Sequence, residues 1–60
     1  MKSKVMNYPK IVQMKHYLER GEIDLLEMAS EIIRMYNDGA LAYDEAIIAI
    51  RELSRIRVRG

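Results

Sequence analysis

The stretch Asp24-Leu25-Leu26-Glu27-Met28-Ala29-Ser30-Glu31-Ile32-Ile33-Arg34-Met35-Tyr36-Asn37-Asp38-Gly39 decides the fold. Aspartate is a preferred helix N-cap, and Glu27 stands three positions on, where its carboxylate reaches back to the cap's own N–H. At the other end, Asn37-Asp38-Gly39 supplies residues that suit the left-handed backbone at which many helices stop. The spacing predicts a helix over 25–37. On a helical projection Leu25, Leu26, Met28, Ala29, Ile32, Ile33, Met35 and Tyr36 cover about 180° of its circumference, whereas a helix lying on a core needs a stripe a little over 100° wide. One neighbour does not cover such a band.

On the N-terminal side, Asn7-Tyr8-Pro9 announces a helix over 9–20, because proline is preorganised for the first helical turn, and Gly21 ends it. Ile11, Met14 and Leu18 share its buried stripe, with Tyr17 on the rim. On the C-terminal side a helix is expected over 44–55, opening on Asp44-Glu45, whose charge suits the positive end of the helix dipole. Its expected buried face is Ala46, Ile47, Ala49, Ile50 and Leu53, with Ile56 as a further candidate. Ile48 is expected to project outward between Asp44, Arg51, Glu52 and Arg55. The alternation Ser54-Arg55-Ile56-Arg57-Val58-Arg59 is read as leading into a basic tail, 56–60.

Sixty residues make one domain of marginal stability, since a chain of this size buries only about 60% of the surface it exposes when unfolded. There is no cysteine to form a disulfide, and a single histidine without thiolates builds no structural zinc site of the usual kind. Oligomerisation is the remaining staple. The expected fold class is therefore all-α: a small three-helix unit with the middle helix at its centre, assembled as a homodimeric helical bundle. Leu26, Met28, Ile33, Met35 and Ile48 are the candidate self-association residues.

Net charge is only +1, but it is segregated. Residues 1–20 carry Lys2, Lys4, Lys10, Lys15 and Arg20 against Glu19; residues 21–53 carry eight acids against Arg34 and Arg51; residues 54–60 carry Arg55, Arg57 and Arg59 and no acid. Such an order favours pairing between segments of the chain or of two copies. It also sets up the alternative reading, a small DNA-binding protein of the virus, plasmid or mobile-element type. In that reading Lys2, Lys4, Lys10, Lys15, Arg55, Arg57 and Arg59 contact nucleic acid.

A repeat of 18 residues aligns Gly21 with Gly39, Ile23 with Leu41, Glu27 with Glu45 and Ile32 with Ile50. The units Arg20-Gly21-Glu22-Ile23-Asp24-Leu25-Leu26-Glu27 and Asp38-Gly39-Ala40-Leu41-Ala42-Tyr43-Asp44-Glu45 resemble the short helical-hairpin domain known as SHOCT. The family's usual threonine before the helix is Asp24 or Ala42 here, and its aromatic residue after the glutamate is Met28 or Ala46. The resemblance covers about half the chain and implies an association module. Residues 32–47 also resemble the opening half of a helix-turn-helix domain. Only Ser54 to Gly60 remain from the last turn of the third helix onward, however, too few to read a major groove.

Catalysis needs a nucleophile, an acid or base and an orienting group gathered in a pocket. The chain offers one imidazole, His16, no thiol and no glycine-rich phosphate loop. His16 and Glu19 stand at i, i+3, a spacing that would suit a metal only if two copies met, and Asn37-Asp38-Gly39 lacks the alternating ligands of a calcium loop. No enzyme activity, catalytic residue, metal or cofactor is expected. No apolar run approaches the ~20 residues of a membrane helix, and Met1-Lys2-Ser3-Lys4-Val5 leads into no signal-peptide core. The expected setting is cytoplasmic, and the expected partner is the chain itself, with another protein or nucleic acid as further candidates.

Overall fold

The computed structural model describes residues 4–58. Among them the chain is all-helical: a 3₁₀ turn at Lys4–Asn7, then α1 (Pro9–Arg20), α2 (Leu25–Asn37) and α3 (Tyr43–Leu53). Each boundary has a local cause. Tyr8 is extended and places Pro9 at the start of α1, where the missing N–H would have had no partner in any case. Past the end of α1, Gly21 adopts φ 74°, and the N–H groups of Gly21 and Glu22 donate to the Leu18 and Tyr17 carbonyls at 3.1 and 2.9 Å. The same pair of bonds closes α2, from Gly39 and Ala40 to Tyr36 and Met35, with Gly39 at φ 82°.

The helix starts differ from one another. Asp24 accepts the Glu27 N–H at 2.7 Å, and its own N–H donates to Glu27 Oε1 at 3.3 Å, so both arms of the box are made at α2. At α3 only the glutamate arm exists, because Ala42 has no side-chain acceptor; its N–H donates to Glu45 Oε1 at 2.8 Å. α3 stops at Leu53, two residues short of the expected end. There the Ser54 hydroxyl donates to the Arg51 carbonyl at 2.8 Å, and the N–H groups of Arg55 and Ile56 turn back onto Glu52 and Leu53.

The core is built from Val5, Ile11, Met14, Leu18, Met28, Ile32, Met35, Leu41, Ala46, Ala49 and Leu53. Its centre is α3, not α2 as the breadth of the apolar band suggested: α3 packs against α2, α1 and the 3₁₀ turn. The small side chains of Ala46 and Ala49 let these neighbours approach closely. Ile23 and Leu41, equivalent in the repeat, both tuck against the core under their turns. The tail is also partly engaged. Ile56 packs on the core, and Val58 Cγ1 lies only 3.3 Å from where a Cβ on Gly21 would sit.

The molecule measures 33 × 25 × 17 Å. Its thin dimension accommodates two interlocked helices of about 10–12 Å diameter. One layer is the α2–α3 hairpin; α1 and the 3₁₀ turn form the other. A hairpin covered on one side leaves its second side open.

Candidate association surface

The open side of the hairpin is apolar. From α2 it presents Leu26 (76% exposed), Ile33 (53%) and Tyr36, and from α3 Tyr43 (68%) and Ile47 (48%), with Leu25 at its edge. Leu26, Ile33 and Tyr36 follow one another at helical spacing, as do Tyr43 and Ile47. Tyr36 and Tyr43 join the two rows across the turn, their rings edge to face with centroids 6.0 Å apart. Contiguous apolar patches above a few hundred Å² mark interaction sites. At roughly 200 Å² for a large side chain, this face leaves on the order of 600 Å² exposed on each copy.

Two of the five expected self-association residues lie here, Leu26 and Ile33. Met28 and Met35 do not: they are 1% and 8% exposed, inside the protomer's own core. The apolar band of α2 is divided lengthwise. Met28, Ile32 and Met35 turn into the protomer's core, while Leu25, Ile33 and Leu26 continue round to the open side. Ile48 is likewise displaced. It is half-buried against the core, and Ile47, expected inside, is exposed. The 3₁₀ turn packs against α3, and the Tyr8–Glu45 hydrogen bond sets the N-terminal segment on the Glu45 side of that helix, where Ile48 stands three residues further on. Tyr43 and Ile47 went unrecognised because their exposure depends on where the N-terminal segment docks; their i, i+4 spacing next to Tyr36 was the available signal.

The basic residues are placed as follows. Lys2 and Arg59 lie outside the described residues. Lys10 Nζ stands 3.5 Å from Glu31, which also meets Arg34 at 4.0 Å, and Arg55 stands 3.7 Å from Glu52. Lys4, Lys15 and Arg57 are exposed and make no ion pair among the described residues. They sit on three different segments, the 3₁₀ turn, α1 and the C-terminal stretch.

His16 Nδ1 lies 3.5 Å from Glu19 Oε1 on the outer surface of α1. It lines neither the groove between α1 and α2, bounded by Lys10, Tyr17, Glu27 and Arg34, nor the one beside Gly21, bounded by Ile23, Asp24, Ile56 and Val58. Among the described residues no three His, Cys, Asp or Glu side chains group as a metal set, and no helix is long and apolar enough to cross a membrane.

One carboxylate is distinctive. Glu45 accepts the Ala42 N–H on Oε1 and the Tyr8 hydroxyl on Oε2, the latter at 2.5 Å. These two donors, the Ala42 N–H first, hold its pKa below the ordinary 4.5 against the opposing effect of desolvation. The hydrogen bond to Glu45 in turn raises the Tyr8 phenol above 10.0. The pair fastens the N-terminal segment to the start of α3.

No protein family, no curated protein and no solved structure matches this chain.

Proposed function

We propose that this chain is a non-catalytic association module that works by pairing with a second copy through the open side of the α2–α3 hairpin. The observation that carries the reading is the continuous run of exposed large apolar side chains from Leu26 through Ile33 and Tyr36 to Tyr43 and Ile47. Two such faces would together bury about 1,200 Å², the lower end of what specific protein interfaces use. The resemblance to SHOCT hairpins agrees with this reading.

Nucleic-acid contact through the basic ends has less behind it, because Lys10 and Arg55 already face Glu31 and Glu52.

Sedimentation equilibrium over a concentration series tests the association. A dimer at low micromolar concentration, dissociated by Ile33→Asp, is the expected result. A folded monomer at hundreds of micromolar overturns the reading. A mobility shift on DNA that weakens steeply with salt would instead point to the basic ends.

A further inference from the structure

Resting on that association, we infer that the two copies dock antiparallel, each α2 lying across the other copy's α2 and each Asp44 meeting the other copy's Arg51. Two flat faces related by a two-fold axis have two simple arrangements, with the axis running along the helices or across them in the plane of contact. The flanking charges distinguish them.

Asp44 and Arg51 stand seven residues apart on α3, so they project from the same outer edge of the open face, about 10 Å from each other along the helix. Neither makes an ion pair among the described residues. The corresponding edge of α2 carries Ser30 and Asn37, and Arg34 between them is drawn toward Glu31 at 4.0 Å, beside α1 and away from the open face. With the axis along the helices, the α3 edge of one copy meets the α2 edge of the other, and both charges are left facing neutral side chains. With the axis across the helices, α3 edge meets α3 edge in opposite directions, and Asp44 and Arg51 pair twice.

The apolar residues ask for the same axis independently. Leu26 at one end of the face is the natural cover for the exposed ring of Tyr36 at the other, and an axis that exchanges them passes level with position 31, five residues from Tyr36. The axis that exchanges Asp44 and Arg51 passes between positions 47 and 48, four to five residues from Tyr43. Because Tyr36 and Tyr43 are level with one another across the turn, the two requirements define one line to within about one residue, ~1.5 Å.

The chain has no cysteine, so introduced thiols report the docking directly. Leu26→Cys chains mixed with Tyr36→Cys chains are expected to give a disulfide-linked heterodimer, while Tyr36→Cys mixed with Tyr43→Cys gives none. The opposite pattern overturns the antiparallel arrangement and leaves the association reading standing. A monomer by sedimentation removes both. If the cysteine variants fail to fold, charge reversal decides: Asp44→Arg and Arg51→Asp each weaken the dimer about 5-fold, as expected for two rim ion pairs, and the doubly reversed chain recovers to within about 2-fold. Losses that simply accumulate in the double variant would overturn the inference.

Discussion

Tyr8 donates its phenolic hydrogen bond to Glu45 across 37 positions of sequence, and the carboxylate that receives it is the one that reaches back to cap α3. A single side chain thus starts a helix and holds the N-terminal segment against it. The pH dependence has a defined sign. Glu45 is lowered from 4.5, so its contribution is complete above that value and is lost as pH falls through the folded-state pKa. Tyr8 is raised from 10.0, so its contribution is complete below 10.0 and is lost as pH rises through its folded-state value. Urea titrations should show Tyr8→Phe destabilising the protein by a constant amount between those limits and by progressively less on either side. A difference unchanged below pH 4 would show that the carboxylate does not take part.

Ile32 and Ile33 are neighbours in sequence with opposite roles. Ile32 is fully buried and Ile33 half exposed. Ile32→Ala is expected to cost about 2–4 kcal/mol, enough to unfold much of a small domain, whereas Ile33→Ala measured at concentrations below dimerisation should change folding stability by no more than about 0.5 kcal/mol. Denaturant midpoints at low concentration for the two variants, set beside their sedimentation, make the comparison.

The two capping glycines are expected to differ. Both have positive φ, but a Cβ at Gly39 meets nothing within 4 Å, while one at Gly21 would press on Val58. Alanine at either site should cost roughly 1–2 kcal/mol from the left-handed backbone, with more at Gly21. Adding Val58→Ala should recover the excess in Gly21→Ala and nothing in Gly39→Ala. Equal losses at the two glycines would mean that residues 56–58 leave the turn in solution.

Completing the half-made box at α3 should stabilise the chain. The Glu45 N–H donates to Asp44 Oδ1 at 3.0 Å; Ala42→Ser supplies the better-placed cap acceptor for it, and a gain of up to about 0.5 kcal/mol is expected, against a loss of about 1 kcal/mol for Asp24→Ala at α2. Thermal midpoints of the two variants check the pair.

What was legible in the sequence was the chemistry that acts over three or four residues. Pro9, Gly21, Asp24 with Glu27, and Gly39 mark helix ends through bonds made within one turn. The early stop of α3 was not legible, because Ser54 can cap or continue a helix depending on where its hydroxyl turns. Val5 was missed for a different reason: one valine between lysine and methionine has no periodicity, and its burial depends on α3 being there to receive it. The width of the apolar band on α2 showed how much surface needed covering. It did not show how that surface divides between Met28 with Met35 on one side and Ile33 with Leu26 on the other, since the division is set by docking and not by spacing. Ile47 and Ile48 exchanged expected roles on the same account.

The short link from Gly21 to Asp24 has a further consequence. The hairpin offers apolar surface on both sides, and in principle either side could accept a helix from either copy. A four-residue tether keeps each α1 at an effective concentration in the millimolar range over its own hairpin, far above any free copy in solution, and allows it to reach only one of the two sides. Connectivity therefore sorts the two sides before any contact is optimised. Shortening that link until α1 could no longer fold back over its own hairpin would favour exchange of α1 between copies, turning a side-by-side pair into a domain-swapped one.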